Sequence, residues 1–155
     1  MLEFRPCPLD EEPAATLAQG MRDEIAAIYE GLDLDGPGMP KGGRAELSPP
    51  GGTFLVGYDD DVPVCCGGIK ALPDGACEIK KMFVVEAARG RGVARALLVE
   101  LERQARTLGY ELARLDTGPK QARAQTMYER AGYVPIENFN GNPVASFFGE
   151  KRINT

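Results

Sequence analysis

The spacing of apolar residues along the chain changes between two periods, and these periods predict its helices and strands. Apolar residues at steps of three and four predict amphipathic helices over residues 13–32, 94–108 and 121–131. Runs rich in β-branched and aromatic residues, bounded by Gly, Pro or Asp, predict strands at residues 2–5, 53–58, 62–71, 76–85, 111–116, 133–136 and 146–153. The predicted order is βα, βββ, αβ, αβ, β, and the second to fourth strands form an antiparallel meander.

One segment departs from both periods. Residues 31–52 contain seven Gly and four Pro among 22 residues. Such a stretch cannot form a long regular element, and a loop of this length inside a compact domain is usually functional or mobile. A domain linker is the alternative, but the 30 residues before it could hardly fold alone. We therefore expect a single domain over residues 1–155.

A glycine-rich turn, Arg89-Gly90-Arg91-Gly92-Val93-Ala94, separates the strand at 76–85 from the helix that follows. We call residues 89–94 the glycine loop. Backbone N–H groups at a helix start are unpaired and lie at its positive dipole end, so they bind anions. We expect Arg89, Arg91 and Arg95 to add positive charge at the same spot. The sequence thus predicts a phosphate site, the alternative being a tight turn with solvated arginines.

Composition narrows the function classes. The chain is 43% hydrophobic and 26% charged, as in ordinary soluble proteins, and no apolar stretch is long enough to span a membrane. The net charge of −5 argues against general nucleic-acid binding. No signal peptide is visible, so we expect a cytoplasmic protein. The chain has no histidine, which removes His-ligated metal sites and His-based triads.

Cysteine and aspartate clusters offer no metal site either. Cys7, Cys65, Cys66 and Cys77 lack paired metal spacing, and the adjacent pair is better explained as small apolar residues of a buried, reduced strand than as redox thiols. Three consecutive aspartates, residues 59–61, cannot all converge on one ion, so a solvated hairpin tip is favoured. We expect no metal.

The turn pattern Arg-x-x-Gly-x-Ala, filled by Arg89, Gly92 and Ala94 after a strand, resembles the acetyl-CoA pyrophosphate loop of the GNAT family of N-acetyltransferases. The element order is similar to that family's fold, an α/β arrangement with a mixed, mostly antiparallel sheet flanked by helices. The resemblance implies contacts from Phe83 and Val85 backbone atoms to acetyl-CoA. The full set of cofactor contacts that it implies is Met82, Phe83, Val84, Val85, Arg89, Gly90, Arg91, Gly92, Val93, Ala94, Arg95, Gln121 and Tyr128.

The third predicted helix carries two of these residues. Gln121 stands where the family usually has Asn, which contacts the cofactor there. Tyr128 falls on the position that in many members protonates the departing CoA thiolate, so the resemblance implies a catalytic acid. The alternative is core packing, because Tyr128 also lies on the apolar stripe of its helix.

Without histidine, proton transfer must use a carboxylate, Tyr, Cys, Lys or water. Glu78, at the start of the strand before the glycine loop, is the best candidate for the base, acting directly or through water. Strand alternation puts it on one face with Lys80 and Met82. The alternative is a surface carboxylate paired with Lys80. We favour direct attack in a ternary complex, with no covalent acetyl-enzyme; the alternative is Cys66 or Cys77 as an acyl acceptor.

Three function classes follow. The first is an acetyl-CoA-dependent N-acetyltransferase acting on a primary amine of a small molecule or protein. The second is a catalytically silent acyl-CoA sensor of the same fold. The third, a dinucleotide-binding enzyme, is disfavoured because the glycine loop lacks the third Gly of the G-x-G-x-x-G pattern. We expect residues 31–52 and 138–143 to set the acceptor, and the acidic balance favours a cationic one; a homodimer is left open.

Overall fold

A computed structural model describes residues 1–154 and shows one seven-stranded sheet in the order β1-β2-β3-β4-β5-β7-β6. The strands are β1 (Leu2–Pro6), β2 (Thr53–Asp59), β3 (Val62–Ala71), β4 (Cys77–Val84), β5 (Leu112–Thr117), β6 (Val134–Pro135) and β7 (Phe147–Arg152). The helices are α1 (Ala14–Ile28), α2 (Val93–Thr107) and α3 (Ala122–Arg130), with a short 3₁₀ turn at Glu86–Ala88. Every strand pair is antiparallel except β4 with β5, so the predicted mixed, mostly antiparallel α/β fold is confirmed.

The sheet splits in its middle. The parallel strands β4 and β5 pair only at Cys77 with Ala113 and at Glu78 with Arg114. Beyond Glu78, β4 keeps its pairing with β3, while β5 keeps its pairing with β7. The facing edges of β4 and β5 therefore separate and leave a gap that other elements line.

A bulge in β4 lies beside this gap. Lys80 pairs with Gly68 and Phe83 pairs with Cys66, so two residues of β4, Lys81 and Met82, stand opposite Gly67 alone. Lys81 has φ +58°, a left-handed conformation that is uncommon for a residue with a side chain. Such a bulge changes which face of the sheet the following side chains occupy.

The two faces of the sheet are covered by different helices. On one face, α2 packs its buried Leu97, Leu98 and Leu101 against the sheet in a cluster that includes Ile79 and Leu115, which we call the α2-side cluster. On the other face, a second cluster joins α1 to the first half of the sheet through Ala14, Leu17, Leu47, Phe54, Val56 and Cys66. The amphipathic stripes read from the sequence are thus the stripes that cover the sheet.

The first helix is shorter than predicted. It ends at Ile28, because Glu30 at φ +55° and Gly31 at φ +87° take left-handed conformations that close its last turn. The Gly31 N–H donates to the Ala26 carbonyl at 2.6 Å, as in other helix ends of this type. Leu32 therefore belongs to the following loop and not to the helical stripe.

Residues 31–52, which we call the long loop, form no helix or strand, as predicted, but not all of them are exposed. Leu47 is 1% exposed and packs in the cluster that includes Phe54. The second half of the loop is therefore anchored in the core. Two smaller predictions are also confirmed: the adjacent Cys65 and Cys66 are free and buried in β3, and Asp60 and Asp61 form the turn between β2 and β3. No helix within residues 1–154 has the length and apolar content needed to cross a bilayer.

Candidate active site

The gap between β4 and β5 opens into a cleft, which we call the β4–β5 cleft. Residues of β4 and the end of β5 form its floor, and the start of α3 and residues 142–145 form one side. The opposite wall comes from α1 and the first part of the long loop. That wall is mostly apolar: it presents Met21, Ile25, Leu32, Leu34, Met39 and Pro40, together with Glu24 and Tyr29.

Glu78 lies where the two strands part and is only 1% exposed. Its Oε2 accepts from the Asn140 side-chain amide at 2.9 Å and lies 3.5 Å from the Lys80 ammonium. Its Oε1 is buried and has no hydrogen-bond partner within residues 1–154. Burial raises the pKa of Glu78 above its ordinary value, against the lowering effects of Lys80 and Asn140. The pairing with Lys80 is present, but the alternative of a surface carboxylate is wrong.

A second carboxylate faces Glu78 across the split. The Asn140 amide nitrogen also donates to Oδ2 of Asp116 at 2.7 Å, and Asn142 donates to the same oxygen at 3.1 Å. The negative charge of Asp116 adds to the effect of burial in raising the pKa of Glu78. The turn between β6 and β7 thus holds two carboxylates of neighbouring strands close together.

Tyr128 projects from α3 towards the same split and is buried in the α2-side cluster. Its hydroxyl lies 3.8 Å from Sδ of Met82, and its ring packs edge-to-face on Tyr133 with centroids 6.2 Å apart. Burial raises the pKa of its hydroxyl, so the group stays protonated at neutral pH. This position suits both a proton donor and a core residue.

The bulge corrects one expectation about β4. Simple alternation predicts Met82 on the same face as Glu78 and Lys80, and this is wrong. Met82 packs with the α2-side cluster, where a Cβ on Gly67 would lie 3.2 Å from Met82 Cγ and 2.9 Å from Leu101 Cδ1. The extra residue at Lys81 shifts the alternation by one, which brings Met82 to the Tyr128 hydroxyl.

The backbone of β4 corrects a second expectation, that backbone atoms of Phe83 and Val85 contact the cofactor. The Val85 N–H donates to the Val64 carbonyl at 2.9 Å, and the Val85 carbonyl accepts from Ala88 at 3.0 Å. That N–H is therefore not available to a cofactor, contrary to what the resemblance implied, and Phe83 likewise pairs with Cys66 of β3. Because hydrogen-bonding groups alternate in direction along a strand, the N–H of Val84 points to the opposite edge, towards the gap.

The glycine loop has the backbone that an anion site needs. Gly90 and Gly92 adopt φ +80° and +79°, and a Cβ on either would meet nothing within 4 Å. Gly92 is the N-cap of α2 and supplies no side-chain cap, so the first N–H groups at Val93, Ala94 and Arg95 face outward uncapped. Open space stands in front of a positive helix end.

The three arginines do not converge there, contrary to expectation. The Arg89 guanidinium donates to the Val84 carbonyl at 2.9 Å and to Glu24 at 2.5 Å, which ties the loop to α1. Arg91 extends towards Asp59, 3.9 Å away. Only Arg95 turns towards α3, where it lines a shallow groove, which we call the basic groove, with Arg123 and Arg130.

Gln121 lies at the start of α3 and lines the β4–β5 cleft. Its Oε1 accepts from the Tyr29 hydroxyl at 3.1 Å and from the Gly118 N–H at 3.2 Å. The side-chain oxygen therefore ties the start of α3 to the end of α1.

The sequence predicts residues 138–143 only as a segment that sets the acceptor, and it assigns several residues of this site no individual role. Asp116, Asn140 and Asn142 form the polar bridge, and Arg123 and Arg130 complete the basic groove. The three asparagines at positions 138, 140 and 142 were a usable signal, because asparagines at alternate turn positions supply side-chain donors. Nothing in the local sequence pointed to Asp116 as the partner.

Known proteins share this architecture. The family model described as the acetyltransferase (GNAT) family matches residues 18–133. The chain is 34% identical over 142 residues to the uncharacterized N-acetyltransferase YjgM of Escherichia coli K12, covering 86% of this chain and 83% of that protein.

Two solved structures show the same fold. A putative acyl-CoA N-acyltransferase from Klebsiella pneumoniae matches with a TM-score of 0.76 and 25% identity, covering 99% of this chain and 98% of that one. The paiA N-acetyltransferase from Thermoplasma acidophilum, solved in complex with coenzyme A, matches with a TM-score of 0.71 at 15% identity over 98% of this chain and 99% of that one. The predicted enzyme class, an acetyl-CoA-dependent N-acetyltransferase, is confirmed: the chain belongs to the acetyltransferase (GNAT) family.

Proposed function

We propose that this protein transfers the acetyl group of acetyl-CoA to a primary amine by direct attack within a ternary complex. The observation that carries the proposal is the split between β4 and β5. The split has the uncapped glycine loop beyond the end of β4 and the buried carboxylate of Glu78 where the strands part. A thioester in the split would therefore lie between an anion site and a base.

The glycine loop and the basic groove fit the phosphates of CoA. The uncapped N–H groups at Val93, Ala94 and Arg95 would bind the pyrophosphate, and the open space at Gly90 and Gly92 permits close approach. The guanidinium groups of Arg95, Arg123 and Arg130 extend the positive surface towards α3. When bound, acetyl-CoA supplies an activated acetyl thioester.

The base is assigned to Glu78. A primary amine reaches the enzyme as an ammonium ion and must lose one proton before its nitrogen can attack. Burial raises the pKa of Glu78 towards the range in which a carboxylate accepts a proton efficiently at neutral pH. Asn140 and Lys80 hold Oε2, which leaves Oε1 to accept the proton directly or through a water molecule.

The remaining steps are assigned to β4 and α3. The amine nitrogen forms a bond to the carbonyl carbon, the carbon–sulfur bond breaks, and its electron pair leaves with sulfur. The Val84 N–H, directed to the gap, would stabilise negative charge on the carbonyl oxygen. Tyr128 donates its proton to the thiolate and regains one, directly or through water, from the nitrogen, which loses its second proton as the amide forms. The products are an N-acetyl amide and the CoA thiol, with one proton released overall.

A thiol-release assay with acetyl-CoA and a panel of primary amines tests the function. We expect release that requires an amine and yields one amide per thiol. Calorimetry with acetyl-CoA alone measures binding separately. Tight binding without thiol release across diamines, amino acids, aryl amines and peptides would favour a silent acyl-CoA sensor, and absence of binding would reject both functions.

A further inference from the structure

Two consecutive lysines of β4 converge on the same point of the β4–β5 cleft. Successive side chains of a regular strand point to opposite faces. Here the bulge and the positive φ of Lys81 bring both side chains to residue 42 of the long loop. A Cβ on Gly42 would lie 2.9 Å from Cε of Lys80 and 3.6 Å from Cε of Lys81, and both lysines line the cleft.

The two ammonium groups differ in their partners. Lys80 lies 3.5 Å from Oε2 of Glu78. Lys81 forms no ion pair within the part of the chain that the structure describes, residues 1–154, although its side chain is only partly exposed. Burial lowers the pKa of Lys81, and the positive charges of Lys80 and Arg22 lower it further, against the opposing effect of Asp35. A strained backbone thus holds in the cleft a cation that has no ion-pair partner within residues 1–154 and feels only the longer-range charge of Asp35.

From this we infer that the acceptor is an α-amino acid with an apolar side chain, whose carboxylate binds Lys81 while its amine faces Glu78. The inference rests on the proposed function and names its substrate class. An anion bound at Lys81 would compensate the charge that the protein leaves unpaired, and an ammonium ion is attracted by the neighbouring carboxylates Glu78 and Asp116.

The spacing of the charges selects the α-amino acid among amino-carboxylates. The Lys80 ammonium is 3.5 Å from Glu78, and the Lys81 side chain ends near the same point of the loop. Because Lys80 pairs with Glu78 and ends beside Lys81, a ligand that reaches both Lys81 and Glu78 needs its two charges close together, and an α-amino acid carries them on one carbon. An ω-amino acid or a diamine would leave one of these groups unmatched.

The wall of the cleft sets the side chain. In the lining of the cleft, α1 and the first part of the long loop present Ile25, Leu32, Leu34 and Met39; the charged Glu24 of this wall is paired with Arg89. These surfaces gain free energy by covering apolar groups and none by covering a charge. In the reaction the amino nitrogen loses two protons from its ammonium form and gains the acetyl group. The carboxylate stays unchanged on Lys81, which acts as a binding residue.

The test compares three amines that share a side chain: L-methionine, L-methioninamide, which lacks the carboxylate charge, and 3-(methylthio)propylamine, which lacks the carboxyl group. Initial rates are compared at equal concentrations of free amine, since the three differ in amine pKa. We expect kcat/KM for methionine to exceed that for the other two by roughly 10- to 100-fold, the range of a charge-assisted contact.

Variants at Lys81 make the test specific. Lys81→Asn removes the charge, and Asn tolerates a positive φ; Lys81→Gly serves if the first variant does not fold. Either should lower kcat/KM for methionine by roughly 10- to 100-fold more than it lowers kcat/KM for the amide. Lys81→Arg should restore most of the preference, and Lys120→Asn, outside the cleft lining, should change neither value.

The outcomes separate the two proposals. Equal use of methionine and its amide by the parent, or an equal loss for both in Lys81→Asn, would overturn the amino-acid assignment while acetyl transfer to amines stands. Acetylation of another amine class alone would overturn it in the same way. Binding of acetyl-CoA with no thiol release for any amine would reject the proposed transfer, and with it the acceptor.

Discussion

Glu78 on β4 and Asp116 on β5 are joined through one side-chain amide, since Nδ2 of Asn140 donates to both carboxylates, at 2.9 and 2.7 Å. The strands stop pairing at Glu78, so this bridge spans the point where the sheet opens. It places two negative charges next to each other in a buried setting, which favours a carboxyl that titrates above its usual range.

The first prediction concerns Glu78 as the base. Glu78→Gln should lower kcat/KM by roughly 10²- to 10⁴-fold, the contribution of a general base. For the parent, kcat/KM should rise with pH through the raised pKa of Glu78, above its ordinary value of 4.5, and this limb should vanish in the variant. Steady-state kinetics from pH 5 to 9 measure this. Glu150→Gln, whose carboxylate pairs with Arg114, is the control and should keep the limb.

The same variant makes a prediction about stability. Because burial raises the pKa of Glu78, its neutral form is favoured in the folded protein. That contribution to the free energy of unfolding is present below the unfolded value of 4.5 and is lost as pH rises through the folded pKa. The Tm of Glu78→Gln relative to the parent should therefore increase with pH. The nearby charges of Lys80, Lys70 and Asp116 also act on the pKa of Glu78 and so set the pH at the midpoint of this change. A Tm difference between variant and parent that falls with pH would contradict the raised pKa of Glu78.

Tyr128 is predicted to protonate the CoA thiolate. Tyr128→Phe removes only the hydroxyl, whose hydrogen-bond partner within residues 1–154 is the weak acceptor Met82 Sδ at 3.8 Å, so stability should change little. Turnover should fall by roughly 10²- to 10⁴-fold with acetyl-CoA affinity unchanged.

A neighbouring tyrosine supplies the matched control for that variant. The Tyr133 hydroxyl donates to the buried Glu102 at 2.8 Å. Tyr133→Phe should therefore cost about 1.5–3 kcal/mol of stability with kcat near normal. Normal kcat in Tyr128→Phe would assign Tyr128 to the core and leave thiolate protonation to water.

Gly92 is predicted to be essential for cofactor binding. Gly92→Val puts a side chain into the open space before α2 and strains a residue at φ +79°. Affinity for acetyl-CoA should fall at least about tenfold, or 1.4 kcal/mol, by calorimetry. Gly75→Val, at φ +91° in the turn before β4, carries comparable strain of about 1–2 kcal/mol and should bind normally. Unchanged affinity in Gly92→Val would remove the pyrophosphate from this loop.

The basic groove is predicted to add to CoA affinity. Arg95→Ala should weaken acetyl-CoA binding by roughly three- to tenfold, and the loss should shrink at high salt because the site is exposed. Arg103→Ala removes an arginine from the same helix that is paired with Glu100, away from the groove. Equal effects of the two substitutions would show that only net charge matters.

The first half of the long loop is predicted to become protected from amide hydrogen exchange when the acceptor binds. Residues 31–40 contribute Leu32, Leu34, Met39 and Pro40 to the cleft, whereas Leu47 is buried in the core. Amide hydrogen exchange should be fast in residues 31–40 and slow when acceptor binds, with little change around Leu47. Strong protection of residues 31–40 in the free protein would contradict this expectation.

Local sequence determined the elements of this protein. The apolar steps of Leu97, Leu98 and Leu101 define α2, and glycines at positive φ end the helices and form the glycine loop. These features depend on neighbours within a few residues, and a periodic pattern records them directly. The resemblance of the turn at Gly92 to a phosphate loop also rests on residues that are only a few positions apart in the sequence.

Tertiary structure decided which side chains meet. Asn140 reaches Glu78 across 62 residues of sequence, and α1 supplies Glu24 to draw Arg89 away from the other arginines. A bulge of one residue turns Lys81 to the side of Lys80 and sends Met82 to Tyr128. Strand register and packing between distant elements set these contacts, and a change of one residue in register reverses every face that follows it. The sequence by itself therefore determined the scaffold and the anion loop, and only the folded chain determined the charges that surround the acceptor.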